Sequence, residues 1–307
     1  MILPNFIKKK FFIYFICRFL YEKIFLFFYR NLIYFISYNK FSNKKEDEYF
    51  KSKPKEVKKI LLYGKEFFYP KYSLFYKKYF ENFEKEKILY AEYNFVAKEF
   101  FEKEIECILD VGANIGYQSS FYNKFFGNKI QIHCFEPHSI AYYYLEKNLS
   151  SFNNIKLHNF ALGNENIEDY MSIPKGRTPR LLNLGEMSIG QYSDKFKDKI
   201  LIKKFDLLPI SLQQFKAIYV KIDVEGYEKN VLKGMSNFLN SNLHLYIKVE
   251  INKNFNNLAK ITSTINFIDK FNFKFFIIKD QKITYCNKSE IIKHLIYRNA
   301  DIFCKNC

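Results

Sequence analysis

The chain has 307 residues, 48% of them hydrophobic and 26% charged, with a formal net charge of +17. That length holds one large domain with an extension, or two modest domains, and that balance excludes a disordered polar chain. The six cysteines, at 17, 107, 134, 286, 304 and 307, do not form the framework of a small secreted module and suit a reducing cytoplasm.

Residues 1–45 form a basic, aromatic-rich segment. Its uncharged runs, Phe11–Cys17, Ile24–Tyr29 and Asn31–Asn39, fall short of the roughly 20 apolar residues a membrane-spanning helix needs. Arg18 interrupts the apolar run, and no small-residue cleavage site follows, so a signal peptide is not expected. On a helical wheel Arg18, Glu22, Lys23 and Arg30 share one arc, and Phe, Ile, Leu and Tyr fill the rest. Two readings stand: a helix over residues 1–40 lying on the inner, anionic membrane face, or a packing and dimer-forming helix. Residues 41–58 read as a polar linker, and 72–103 as one or two helices, so 46–103 is a helical extension or linker. The basic excess favours anionic partners. Along the body, however, the lysines are interspersed with glutamates and read as solvated faces.

From residue 104 to 307 the pattern changes. Apolar runs near 105–110, 130–136, 154–160, 216–223, 243–251 and 272–279 read as strands. Helical patterns lie between them near 116–127, 138–151, 226–239 and 257–270. This alternation predicts an α/β fold, a Rossmann-like doubly wound, mostly parallel sheet with helices on both faces. Further strands are expected at 167–173 and 199–206, with 282–287 as an edge strand. Cys107 and Cys134 sit inside apolar runs and read as buried hydrophobes. Cys304 and Cys307 form a CxxC at the chain end without a second ligand pair.

The first strand runs into Asp110-Val111-Gly112-Ala113-Asn114-Ile115-Gly116. Sheets of this kind bind ligands at the carboxyl ends of their strands. Gly112 and Gly116 allow close backbone approach, and the following helix start offers N–H groups to an anion. The spacing is not the G-x-G-x-x-G of a dinucleotide site, since the glycine that admits a pyrophosphate is absent. A ligand end with a carboxylate and an amine fits better, with Asp110 accepting from the amine. That is the methionine end of S-adenosylmethionine. Twenty residues on, Glu136 closes the second strand, where an acid takes ribose hydroxyls. Asn159 and Ala161, in the N-F-A-L-G that closes the third strand, are expected against the adenine.

The fourth strand ends in V-K-I-D-V-E-G-Y-E, and Asp223, Glu225 and Glu228 gather at the sheet mouth, with Glu250 at the end of the fifth strand. In this order, I-L-D-V-G-A-N-I-G, F-E-P, N-F-A-L-G, V-K-I-D-V-E-G-Y-E-K-N-V-L-K-G and V-E-I resemble the FkbM family of class I S-adenosylmethionine-dependent methyltransferases. The resemblance covers about residues 104–280. It implies O-methylation of hydroxyl groups, often on sugars of surface glycans or on natural products. The stretch F-D-L-L-P-I-S-L-Q-Q-F also resembles a family segment, although Lys204 or Phe205 stands where the family has threonine, which leaves no role fixed for Asp206.

Methyl transfer to a sugar hydroxyl needs a base within hydrogen-bond reach. Asp223 is the first candidate, with Glu225 and Glu228 next, and the two glutamates also read as first-turn charges favoured by the helix dipole. The same carboxylates are a set of oxygen ligands for a divalent metal, an alternative left open. Of the histidines, His133 and His244 read as packed in strands, and His138 lies beside Glu136.

Three other classes were weighed. A nucleic-acid methyltransferase is disfavoured, because Asp223-Val224-Glu225-Gly226 stands where amino-directed enzymes carry D-P-P-Y-like motifs and would repel phosphates. A non-catalytic membrane-surface protein predicts decayed motifs, yet Asp110, Gly112, Gly116, Glu136, Asp223 and Gly226 are intact. A nucleotide-sugar glycosyltransferase would show D-x-D at a strand end. The expectation is a cytoplasmic O-methyltransferase acting on a hydroxyl of a sugar, glycan or small-molecule acceptor, with no nucleic-acid partner and with residues 1–40 as the candidate peripheral membrane contact.

Overall fold

The run Val57–Pro70 alternates in β1 (Val57–Leu62) and β2 (Lys65–Pro70), an antiparallel hairpin. Its two-residue turn, Tyr63 and Gly64, has φ of 50° and 81°, the left-handed pair that matches strand twist. The sequence reading had no hairpin here, and its linker ended only at residue 58. The protein is described by a computed structural model over residues 57–71, 73–81, 84–173, 183–190, 197–252, 255–280, 282–297 and 300–306. The readings of residues 1–40 and of most of 41–58 lie outside the described residues. Two helices follow, α1 (Leu74–Glu81) and α2 (Glu84–Phe100). Tyr93, Val96 and Phe100 of α2 are buried in the core against the sheet, so the extension shares the core of the body.

The body starts with β3 (Cys107–Val111), whose five residues are all buried. Then come α3 (Tyr117–Phe126), β4 (Gln131–Phe135), α4 (Ser139–Leu149) and β5 (Ile155–His158). A smaller sheet is made by β6 (Ala161–Leu162), β7 (Ile167–Ser172), β8 (Ser188–Ile189) and β9 (Asp198–Lys203), in the order β6-β9-β7-β8. The main sheet resumes with β10 (Ala217–Ile222), followed by α5 (Glu228–Gly234), α6 (Ser236–Leu239), β11 (His244–Ile251) and α7 (Leu258–Asp269). Last come β12 (Lys274–Lys279), β13 (Lys282–Cys286), α8 (Lys288–Tyr297) and β14 (Ala300–Lys305).

The eight strands of the main sheet run β13-β12-β14-β11-β10-β3-β4-β5. β5, β4, β3, β10 and β11 are parallel neighbours, as the alternation predicted. Strand order reverses between β3 and β10, which sets the ligand crevice at their carboxyl ends. β14 was missed. It inserts antiparallel between β11 and β12, and its Cys304 is a fully buried core residue rather than part of a tail motif. Cys107 and Cys134 are buried as expected. β13 is the edge strand the sequence suggested.

Asn148 of α4 fastens the hairpin to the body. Its Oδ1 accepts from Phe68 N at 2.6 Å, and its Nδ2 donates to Phe68 O at 2.9 Å and Ile115 O at 2.8 Å. Asn148→Ala removes the Asn148 partner of three backbone groups, two part-buried at Phe68 and one buried at Ile115, and should cost about 1–3 kcal/mol. Amide exchange should show the loss concentrated in residues 57–70 and the 112–116 turn. Uniform protection at the wild-type level would refute the tie.

Candidate active site

At the switch point two turns cross. Gly112 has φ +84°, and a Cβ there would stand 1.9 Å from the Asp223 carbonyl oxygen. Gly116 has φ +86°, and a Cβ there would stand 2.9 Å from Leu145 and Leu149 Cδ1 of α4. The room these glycines leave is therefore filled by protein: one lets the turns after β3 and β10 cross, the other lets α4 pack. The N–H groups of the turn are also engaged. Those of Gly112 and Ala113 donate to Phe135 O (3.0 and 3.1 Å), that of Ile115 to Asn114 Oδ1 (2.7 Å), and that of Gly116 to Ala113 O (2.9 Å). The N–H groups for an anion are those expected at the start of the following helix, the first turn of α3, where Tyr117 and Gln118 line the cavity and Gly116 has no side chain to cap it.

The cavity in the crevice holds about 250 Å³. Gly112, Asn114, Glu136, Ala161, Asp223 and Glu225 line it, as the sequence placed them. Asp110, Gly116, Asn159 and Glu228 do not. Asp110 is wholly buried beneath the turn, where Oδ2 accepts from Ser119 Oγ at 2.5 Å and Oδ1 lies 3.1 Å from Lys221 Nζ. Asn159 Nδ2 donates to Glu136 O at 3.0 Å and Pro137 O at 3.3 Å, which braces the Glu136 loop from behind. Glu228 is buried, and its Oε1 accepts from Gly226 N at 2.7 Å, a cap on the turn that opens α5. Asp206, whose role the sequence left undecided, accepts from Asn237 N (2.8 Å) and Phe238 N (3.0 Å) and caps α6.

Glu136 is the buried acid at the end of β4. Oε2 accepts from Asn114 N and Oε1 from His138 N, both at 2.8 Å. Each oxygen keeps a further acceptor site, which suits a ribose diol. Burial pushes its carboxyl up to about 7. His138 is the N-cap of α4, its Nδ1 accepting from Ala141 N at 3.3 Å, so it sits beside Glu136 through the backbone.

The lysine between the acids had no role in the sequence reading. Lys221 is buried, with Nζ 3.1 Å from Asp110 Oδ1 and 3.4 Å from Asp223 Oδ2, and it donates to Gly112 O at 2.9 Å. Burial would lower its basicity, but Asp110 and then Asp223 hold it above the ordinary lysine range. A lysine inside a strand that is otherwise wholly apolar was the available signal, because a buried cation needs a carboxylate beside it. Also unanticipated were the aromatic wall from α1 (Phe75, Tyr76, Tyr79 and Phe80) and the turn Leu184–Glu186.

Asp223 and Lys221 both line the cavity, and of the Asp110–Lys221–Asp223 group only Asp223 is appreciably exposed, its side chain at 30%. Glu225 has φ +48°, unusual for a residue with a side chain, and its Oε2 accepts from Asn252 Nδ2 at 3.2 Å. Burial, then Asp223, Glu250 and Glu228, push its carboxyl up to about 9. Glu228 is pushed to about 7 by burial, and Glu250 to about 7 by Asp223 and then by burial. Among the described residues no group of three or more His, Cys, Asp or Glu is arranged to hold a metal ion.

These shifts fix a pH dependence. A carboxyl raised in the native state binds more protons there than in the unfolded chain, so stability falls as pH rises through that window. Below pH 6.5 this is opposed by His133, His138 and His158, whose burial lowers them to about 4. Above 6.5 the opposing histidine contribution fades and is gone by about pH 7.5, while the acids, joined towards pH 9 by the thiols of Cys107, Cys134 and Cys304 that burial also raises, act in one direction. The urea midpoint should therefore decline from about pH 6.5 to 9, and Glu225→Gln should flatten the upper part. A midpoint rising over that range would contradict this assignment.

A doubly wound sheet, a buried acid at the second strand end and a carboxylate beside the first turn together define a class I S-adenosylmethionine-dependent methyltransferase. The model of the methyltransferase FkbM domain matches residues 110–275, over half of the chain, and the chain belongs to that family. Among solved structures it is similar to methyltransferase FkbM of Methylobacillus flagellatus KT, at 14% identity and TM-score 0.41, over 68% of this chain and 47% of that one. It thus spans about half the length of that protein. Aeropyrum pernix fibrillarin with natively bound S-adenosyl-L-methionine is similar at 11% identity and TM-score 0.39, covering 83% and 84%. A SAM-dependent O-methyltransferase of Thermotoga maritima is similar at 9% and 0.35, covering 84% and 80%. No curated protein matches the chain. Among the described residues no helix is long and apolar enough to cross a membrane.

Proposed function

We propose that the chain is an O-methyltransferase whose acceptor is a hydroxyl of a sugar or glycan. The observation that carries this reading is Asp223, a part-exposed carboxylate on the floor of a cavity walled by Phe75, Tyr79 and Tyr117. Aromatic faces suit the apolar faces of a sugar ring, and carboxylates suit its hydroxyls. S-adenosylmethionine, when bound, supplies an electrophilic methyl group on a sulfonium. Glu136 would accept from its ribose hydroxyls, and the turn carrying Gly112 and Asn114 would support the rest. Asp223 would take the proton of the acceptor hydroxyl as the acceptor oxygen bonds to the methyl carbon and the carbon–sulfur bond breaks, releasing S-adenosylhomocysteine. Lys221, with Nζ 3.4 Å from Asp223 Oδ2, orients that carboxylate for the step. The carboxylates at the cavity oppose a nucleic-acid phosphate backbone.

The enzyme is placed in the cytoplasm, with residues 1–40 as a peripheral contact to an anionic membrane face; co-sedimentation with anionic vesicles, with and without that segment, checks this. The acceptor reading is tested by incubating the full-length protein with methyl-labelled S-adenosylmethionine and a panel of sugars, oligosaccharides and RNA. Label on a sugar oxygen supports it, and label on RNA alone refutes it. Glu136→Ala should weaken S-adenosylmethionine binding about a hundredfold or more in calorimetry, the loss of two hydrogen bonds to a charged acceptor. Wild-type affinity in that variant would remove Glu136 from the site.

A further inference from the structure

Helix α1 lies outside the stretch the family model matches, yet it reaches the first turn. Its Tyr76 is buried, and the hydroxyl donates to Asn114 Oδ1 at 2.6 Å. Asn114 has φ +51°, a left-handed conformation that asparagine adopts more readily than other side-chain-bearing residues. Its backbone N–H points to Glu136 Oε2, 2.8 Å away. The Leu184–Glu186 turn closes on the same amide, since a Cβ on Gly185 would come within 2.9 Å of Asn114 Nδ2, and the Leu184 backbone also hydrogen-bonds the Tyr76 hydroxyl. Asn114 is therefore gripped by two segments that flank the cavity, and its backbone grips the acid expected on the ribose.

We infer that Tyr76 is a positioning residue for the cofactor: its hydroxyl fixes Asn114, and through Asn114 the carboxylate of Glu136, so a helix preceding the matched domain sets nucleoside affinity. This rests on the cofactor reading given above. A purely packing role is the competing explanation, because Phe67 meets Phe80 (ring centroids 5.5 Å apart) and Tyr117 (6.3 Å), and Tyr79 meets Tyr117 (5.0 Å), all without the Tyr76 hydroxyl. The two explanations differ in what happens when the oxygen alone is removed.

The test is calorimetric titration of full-length wild type, Tyr76→Phe and Phe67→Leu with S-adenosylmethionine and with S-adenosylhomocysteine. Tyr76→Phe should raise both dissociation constants about fivefold to tenfold, the worth of one buried hydrogen bond. Its KM for the cofactor should rise by the same factor while kcat changes less than twofold. Phe67 is buried behind α1 and does not line the cavity, so Phe67→Leu should lower the thermal midpoint and leave both constants unchanged. In an Asn114→Ala background, Tyr76→Phe should have no further effect on binding. Wild-type constants in Tyr76→Phe, an equal loss in Phe67→Leu, or an undiminished loss in the Asn114→Ala background would each overturn the inference. A wild-type protein that binds neither ligand would refute the cofactor reading itself and this inference with it, a result distinct from the other three.

Discussion

Replacing Lys221 with methionine should destabilise the protein by about 3–5 kcal/mol, the cost of leaving a buried charge without its partner. Asp110 is wholly buried, and Lys221 Nζ lies 3.1 Å from its Oδ1; the other oxygen has the Ser119 hydroxyl. The substitution also frees Gly112 O, to which the ammonium donates. Urea denaturation of the folded variant would measure the loss. The double variant Asp110→Asn with Lys221→Met should recover much of it, since both charges leave together. A loss under about 1 kcal/mol in the single variant, or none recovered in the double, would mean that the pair is not what holds the turn beneath the cavity.

The second large effect is on turnover. Asp223→Asn should lower kcat about 10²–10⁴-fold, the usual contribution of a positioned general base, on whichever acceptor the labelling screen identifies. S-adenosylhomocysteine affinity should stay within a few-fold of wild type, because the nucleoside acid is Glu136 on another strand. Asparagine keeps the shape of the carboxylate and can still accept a hydrogen bond from Lys221, so the fold should persist. Normal turnover in Asp223→Asn would move the base to Glu225, the other carboxylate lining the cavity near it. A loss of homocysteine-product binding as large as the loss of kcat would make Asp223 a binding group instead.

The parallel half of the sheet was legible because each strand is a short apolar run buried on both faces, and the runs alternate with amphipathic helices. Glu136 and Asp223 were legible because they end such strands. The glycines were located correctly, but their local purpose was not. Residue spacing says where the chain turns, while only the packed structure shows that Gly112 faces the Asp223 carbonyl and Gly116 faces α4. Lys221, Asn148 and Tyr76 were missed for another reason. Each acts through a partner far away in sequence, at Asp110, Phe68 and Asn114, and nothing local announces such a pairing. Lys221 did leave a trace, as a charge inside an apolar strand opposite Asp110 in the register. The hairpin and β14 were missed because an isolated strand outside the βα rhythm has no periodic neighbour to support it.

The place of β14 bears on how the protein is made. It is the last described strand in the chain, yet it lies inside the sheet, between β11 and β12. As the chain leaves the ribosome, β3, β4, β5, β10 and β11 can assemble in the order of synthesis. β12 and β13 then emerge with no seat on that sheet, because β12 meets it only through β14. Until Ala300–Lys305 is released, the nascent protein carries an open β11 edge and a detached apolar hairpin, both surfaces that pair readily with other chains. A messenger truncated just before this strand would therefore yield not a slightly shortened enzyme but a half-closed sheet, the form that chaperones and proteases capture.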